Sequence, residues 1–388
     1  DRIRLNASEW MDFRNGEKKC FLLTNGLGGY CSLTVMGNAA RNDQALLMGA
    51  LKAPTVREHL ISNVWETLEV DGEETELFSQ EFVNRTQNVE GFRFLEGFEM
   101  GSLPVWFYRV KGIEIEKTIG MVQGENTVLV RYRVRSGKKG SFSVRPVMRF
   151  AAKGEQLQEG QDFAVDRKCI ASDGVILSYG TNGELQMEKE RIWRDLFFEQ
   201  DARDGRDGIG SAVVNHRIRF EMTGDGREQV FFVVYSLADD VDKWDEERIA
   251  LWIEEEEKRQ DFVCWIRNPS RASWALCIPY EINGEIKPTY PDFIIVREDE
   301  RLGYVIDILE PHSADFKDNL GKAKGFAEYA RQNPGVGRIQ LIRMGKDAAG
   351  RNQFRRLDMY KTAIREKVSC AINTDELDHI FDTDGVIE

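Results

Sequence analysis

A chain of 388 residues exceeds the size at which a single hydrophobic core stops growing, about 250–300 residues, and predicts two domains. Its 41% hydrophobic and 31% charged content is that of an ordinary soluble protein, and no apolar run approaches the roughly 20 residues of a membrane-spanning helix, which excludes a helical membrane protein. Charge is uneven: residues 262–388 hold 18 Lys+Arg against 20 Asp+Glu, net −2, leaving 35 against 46, net −11, for residues 1–261, so the N-terminal part is a poor partner for nucleic acid.

The opening Asp1-Arg2-Ile3-Arg4 does not read as a signal peptide. The 6 cysteines form no Cys-x-x-Cys pair and have no nearby histidine, which fits reduced, mostly buried thiols. Both observations predict a cytoplasmic protein.

The densest early motif is Leu22-Leu23-Thr24-Asn25-Gly26-Leu27-Gly28-Gly29-Tyr30. Its glycines permit backbone angles that other residues avoid, which suits a tight loop pressed against another segment or a ligand, with a purely architectural loop favoured over a binding one. No lysine follows and no helix begins there, so it is neither a dinucleotide-binding nor a P-loop pattern. From Cys20 to about Asp239 short alternating stretches such as Val105–Val110, Thr127–Val134, Ser141–Arg145 and Gln229–Tyr235 are separated by turn signals such as Gly137-Lys138-Lys139-Gly140. Strands at this spacing predict an all-β antiparallel sandwich over residues 1–240. Trp244, Ile249, Trp252 and Ile253 then fall at helical spacing, predicting a helical linker over 241–261.

Beyond it the pattern becomes α/β, over 262–388. Phe293–Val296, Tyr304–Leu309 and Arg338–Arg343 read as strands, and Ser313 would cap a helix from about Ala314 to Arg331. Two acids, Asp292 in Tyr290-Pro291-Asp292-Phe293 and Asp307 in Asp307-Ile308-Leu309-Glu310, lie on or beside neighbouring strands. Residues two apart share a strand face, so Asp307 and Leu309 point one way while Ile306, Ile308 and Glu310 point the other. Phosphodiester hydrolysis needs carboxylates to hold Mg2+ and a cation to position the attacking water, and Leu309 cannot be that cation. Lys324, roughly 80° from the centre of the helix's apolar face, leans toward the sheet more easily than Lys322, about 120° away on the other side. Glu281 and Glu310 are further acids, and His312 lies near the same strand end. The alternative is structural: Asp292 as a turn residue and Asp307–Pro311 as a strand end. Within 338–367 there are nine basic residues against three acids, a local +6. Arg338, Arg343, Arg351, Arg355 and Arg356 are the candidates there for nucleic-acid contact, with a merely solvated basic surface as the alternative.

Two resemblances accompany this reading. Trp265-Ile266-Arg267-Asn268-Pro269, Ile278-Pro279-Tyr280-Glu281, Tyr290-Pro291-Asp292-Phe293, Asp307-Ile308-Leu309-Glu310-Pro311-His312 and Lys322-Ala323-Lys324-Gly325 make about residues 262–370 resemble the PD-(D/E)-x-K-like C-terminal region of type III restriction subunits and DEAD/DEAH-box helicase proteins. That resemblance implies a nuclease-like α/β module associated with DNA, with Asp292 and Asp307 as Mg2+ ligands, Lys324 in the place of the missing lysine, and a Mg-dependent deoxyribonuclease if active. No phosphate-cradling Gly-Lys-Ser/Thr loop occurs, so no helicase motor is expected.

The Asn25–Tyr30 loop, Ala45–Pro54, Trp65-Glu66-Thr67-Leu68, Glu116-Lys117, Arg145-Pro146, Arg194-Asp195-Leu196 and Asp201–Arg206 make about residues 3–258 resemble the N-terminal domain of bacterial and archaeal glycogen debranching enzymes of the amylo-α-1,6-glucosidase type. There the domain is a β-sandwich preceding an (α/α) barrel that carries the catalytic acids. The resemblance implies an α-glucan partner, with Asn25 and Tyr30 as contact candidates, and no glucosidase activity without the barrel. Two segments depart from the family pattern. Ala40-Arg41-Asn42-Asp43-Gln44-Ala45 stands where Thr-Arg-Arg-Tyr-His-Gly is usual, and Arg149-Phe150-Ala151-Ala152 where an Arg-Asp-x-His cluster is usual.

Overall fold

The computed structural model describes residues 3–257, 262–268, 275–299, 301, 303–312, 318–346 and 352–387. Residues 3–257 form one compact unit and the described residues from 262 onward a second.

The first unit is a β-sandwich. One sheet has nine strands, running from Ile3–Asn6 at one edge through Leu95–Met100, Pro104–Val110, Ile113–Met121, Thr127–Arg135 and Glu228–Ser236 to three short strands between 164 and 181. The other has Glu184–Phe197 at its edge, followed by Ile209–Met222, Gly140–Ala152, Val56–Val70 and Ala45–Lys52. Period-two alternation builds the core. Val128, Val130, Tyr132 and Val134 turn inward toward Val64, Leu68, Phe142 and Val144 of the facing sheet, while Arg131, Arg133 and Arg135 turn outward.

One polar contact crosses this core. Lys117 stands between Trp106 and Tyr132, its partners on the neighbouring strands. Its ammonium meets Oε1 of Glu66 from the opposite sheet at 2.5 Å, with both side chains almost fully buried. The Tyr132 hydroxyl donates to the same oxygen at 2.8 Å. Burial, then the Glu66 charge, raises the Tyr132 pKa well above its ordinary range.

The residues expected to form a linker instead belong to the sandwich. Trp244, Ile249 and Ile253 pack with Leu129, Phe232 and Val234 on the outward face of the first sheet, so the Glu246–Glu257 helix is seated there. The ring of Trp252 occupies the space above Gly120, where a β-carbon would come within 2.3 Å of it.

The second unit is a six-stranded sheet in the order Phe262–Arg267, Phe293–Asp299, Gly303–Pro311, Ile339–Lys346, Asn352–Asp358, Val386–Ile387. Among the described residues its single parallel pairing joins Gly303–Pro311 to Ile339–Lys346, and the helix Asn319–Gln332 lies between them in the chain. Ser313 and the first residues of the expected helix lie outside the described residues. The helices Asn319–Gln332, Thr362–Cys370 and Thr374–Asp384 bury Ile308, Ile339, Leu341, Leu357 and Met359 from one face of the sheet.

Glu66→Gln leaves the Lys117 ammonium buried without its counter-ion and is expected to cost about 3–5 kcal/mol. The double variant Glu66→Gln, Lys117→Met should recover most of that loss. Urea unfolding of the three proteins checks the pair, and equal midpoints for single variant and wild type would remove it as a structural determinant.

Candidate functional site

Asp292 and Asp307 do not meet. Pairing places Phe293 opposite Leu309 and Ile295 opposite Asp307, so Asp292 lies across from Glu310, to whose Oε2 its backbone N–H donates at 2.9 Å. Asp307 faces the other side of the sheet, and both of its oxygens are occupied. Oδ2 accepts from Arg297 Nε at 2.5 Å, and Oδ1 accepts from Arg297 Nη2 at 3.0 Å and from the Arg338 backbone N–H at 2.7 Å. A buried carboxylate clamped by a bidentate guanidinium has no open coordination position. Among the described residues no group of three or more His, Cys, Asp or Glu is arranged to hold a metal. The expected Mg2+ pair is therefore corrected: these residues do not fit the ion, because strand parity sends the two acids to different neighbours.

A different set converges on the Glu310 side. The Tyr280 hydroxyl donates to Asp318 Oδ2 at 2.7 Å, and Lys322 reaches the same oxygen at 3.2 Å. Burial pushes the Glu310 carboxyl up to about 7, against the opposing pull of Lys322. Burial, then the charges of Arg343 and Lys322, brings the His312 ring down to about 4. That ring stacks on Phe381 with centroids 6.0 Å apart. Lys322 is thus a helix cation whose charge acts on the strand end, and Lys324 is half-buried on the same helix. Glu281 is exposed on the strand face opposite the buried Tyr280, away from Asp318, so it joins no acid cluster.

The basic stretch does not form one face. Arg343 and Arg355 lie on the helix-covered side with Leu341 and Leu357. There Arg343 donates to Asp378 and sits 4.2 Å over the Phe381 ring, and Arg355 pairs with Asp382 at 3.2 Å. Arg338 is exposed, Arg356 donates to Gln340 Oε1 at 3.1 Å on the other side, and Arg351 lies outside the described residues.

In the sandwich, Asn25 is fully buried and works as a staple. Its Nδ2 donates to the Glu125 carbonyl and to Asn126 Oδ1, each at 2.9 Å, and its Oδ1 accepts from Leu27 N–H at 2.9 Å and Gly29 N–H at 3.0 Å. Gly28, at φ +96, packs its backbone against Pro54, where a β-carbon would clash. The Tyr30 hydroxyl donates to the Asp43 carbonyl at 2.7 Å. Asn25 thus acts within the fold, as an architectural loop would have it, and the hydroxyl of the half-buried Tyr30 is engaged there too.

The two departing segments meet each other. Arg149, buried on β-strand Gly140–Ala152, donates to Asn42 Oδ1 at 2.8 Å, to the Ser211 carbonyl at 2.9 Å and to His59 Nδ1 at 3.3 Å. His59 Nε2 then donates to Ser62 Oγ at 2.9 Å, and burial with the Arg149 charge holds its pKa well below the usual value. Arg41 bridges Asp201 at 3.2 Å and Asp204 at 2.6 Å. The Arg149, His59 and Ser62 part of this network is buried, whereas Arg41 and Asp204 reach the surface.

Residues 19–228 match the family model of the glycogen debranching enzyme N-terminal region. The chain belongs to that family. Residues 239–386 match the YagJ family, and Protein YagJ of Escherichia coli K12 is 31% identical over 123 residues, covering 31% of this chain and 49% of that protein. The chain thus spans about half the length of the curated relative it matches. This match replaces the resemblance to restriction-subunit and helicase C-terminal regions, so the second unit is a YagJ-family region.

Similar solved structures include a bacterial glucoamylase complexed with acarbose, at 11% identity over 62% of this chain and 36% of that one, TM-score 0.29. A GalM/aldose epimerase homologue from C. elegans covers 56% and 98% at 11% identity, TM-score 0.30, and heparinase III covers 71% and 42% at 10%, TM-score 0.30. Within this debranching-enzyme family member, Glu66, Lys117, Asp201 and Asp204, all from the motifs that carry the resemblance, have structural roles. Among the described residues no helix is long and apolar enough to cross a membrane.

The sequence reading missed a buried acid pair. Asn38 Nδ2 donates to Glu17 Oε1 at 2.8 Å, and Arg85 reaches Glu81 Oε1 at 3.1 Å, while the other oxygen of each acid is buried with no hydrogen-bond partner among the described residues. Burial, then the Glu81 charge, pushes the Glu17 carboxyl up to about 8, against the opposing Asn38 hydrogen bond and Arg85 charge. No local signal marks these acids, since they come together from segments far apart in sequence. A carboxyl raised on folding favours the native state at low pH and loses that contribution as pH climbs from about 4.5 to about 8. The thermal midpoint should fall across that window and flatten in Glu17→Gln, and parallel pH profiles for the two proteins would refute the assignment.

Proposed function

We propose that the chain is an α-glucan-associated binding or scaffolding protein whose debranching-enzyme-type sandwich engages polymer without cleaving it. The observation that carries this reading is the family match over residues 19–228. In the resembling enzymes an (α/α) barrel follows the sandwich and supplies the glucosidase acids. Here the next region is a mixed six-stranded sheet with three helices among its described residues, and Asp307 and Glu310 are engaged with their own fold, in an ion pair and a hydrogen bond. Polymer charge points the same way. Residues 1–261 carry 35 basic against 46 acidic side chains, net −11, which repels a polyanion and leaves a neutral polysaccharide unpenalised.

Native electrophoresis through gels with and without glycogen or amylopectin tests the proposal on the full chain. Retardation relative to an inert reference protein is expected, and identical mobility in all gels would remove the reading.

A further inference from the structure

Where the Glu246–Glu257 helix runs over the outward face of the first sheet, it leaves a cleft of about 220 Å³. Three adjacent strands build the floor as one cross-strand row, Phe107 opposite Glu116 and Glu116 opposite Arg133, with Arg131 in the next row. Ile253 and Glu254 of the helix form the wall. From this geometry we infer that the cleft is a subsite for a single neutral sugar residue, an assignment that rests on the α-glucan reading and gives it a location.

The polar groups are oriented before any ligand arrives. Arg133 donates to Glu116 through Nε at 3.0 Å and through Nη2 at 2.5 Å, and Arg131 Nη2 approaches the same carboxylate at 3.5 Å. Side-chain exposure is only 12% for Arg131 and 18% for Glu116, so the helix shields them as an open strand surface would not. Guanidinium edges donate and carboxylate edges accept, which is the pairing a sugar hydroxyl requires because it does both. Two arginines and two glutamates cancel formally, so an anionic or cationic ligand gains nothing that a neutral polyol lacks. The half-buried Phe107 supplies the flat apolar surface on which the C–H face of a pyranose packs. The volume lies below the roughly 300 Å³ at which drug-sized pockets begin, which limits occupancy to about one ring.

Titration of the full chain with maltotriose, followed by calorimetry or saturation-transfer NMR, tests the subsite. Ala250 lines the cleft from the exposed side of the helix, so Ala250→Trp fills it without removing a core contact. Ala250→Trp is expected to weaken maltotriose binding about tenfold or more at an unchanged thermal midpoint, and Glu116→Gln to weaken it as well. If both variants bind as the wild type does, the cleft assignment is overturned while the glucan reading stands. Wild type that is retarded by glycogen but ignores maltotriose likewise overturns the cleft alone. Wild type that binds neither overturns both.

Discussion

A lysine and a glutamate buried against each other between two sheets set the terms on which the sandwich closes. Because side chains alternate along a strand, a one-residue slip on either sheet would send Lys117 or Glu66 to the opposite face and strand its partner's charge in the core. Hydrophobic residues at the same positions would tolerate such a slip far better. The Tyr132 hydroxyl completes the contact from the strand beside Lys117. Register on both sheets is thereby coupled, and everything mounted on their outward faces inherits its placement. The Glu246–Glu257 helix, with Trp252 over Gly120, is one such element.

The same parity rule governs the second unit with the opposite consequence. Asp307 and Glu310 are three residues apart on one strand and so face different sides of the sheet. Asp307 is taken by Arg297 and Arg338, while Glu310 turns toward Asp292 and the charge of Lys322. Acids that look like a pair in sequence thus serve two separate structural jobs. The arginines divide for the same reason, with Arg343 and Arg355 drawn to the acids of the Thr374–Asp384 helix.

Several polar groups of the sandwich are engaged with one another inside the fold. In the sandwich the loop around Asn25 and the network of Arg149, His59 and Asn42 leave their hydrogen-bonding capacity inside the fold. The cleft beneath the helix differs. There paired arginine and glutamate side chains remain partly open to solvent beside an aromatic ring.

Much of the architecture was legible from local patterns. Strand periodicity and turn signals in the first 240 residues predicted a sandwich, the change of grammar near 260 predicted a second unit, and the glycine-rich loop with its companion motifs pointed to the debranching-enzyme family. These are properties of neighbouring residues, and the chain's alternation and backbone angles express them directly. The linker reading failed because helical spacing does not say which surface will bury Trp244 and Ile253. The metal reading failed because two acids on adjacent strands share a site only if register brings them opposite each other. The sequence by itself determined which elements form and which family the sandwich belongs to. Only the tertiary structure decided which charges meet, since the partners of Glu66, Asp307, Arg149 and Glu17 lie on other elements and are chosen by pairing and burial.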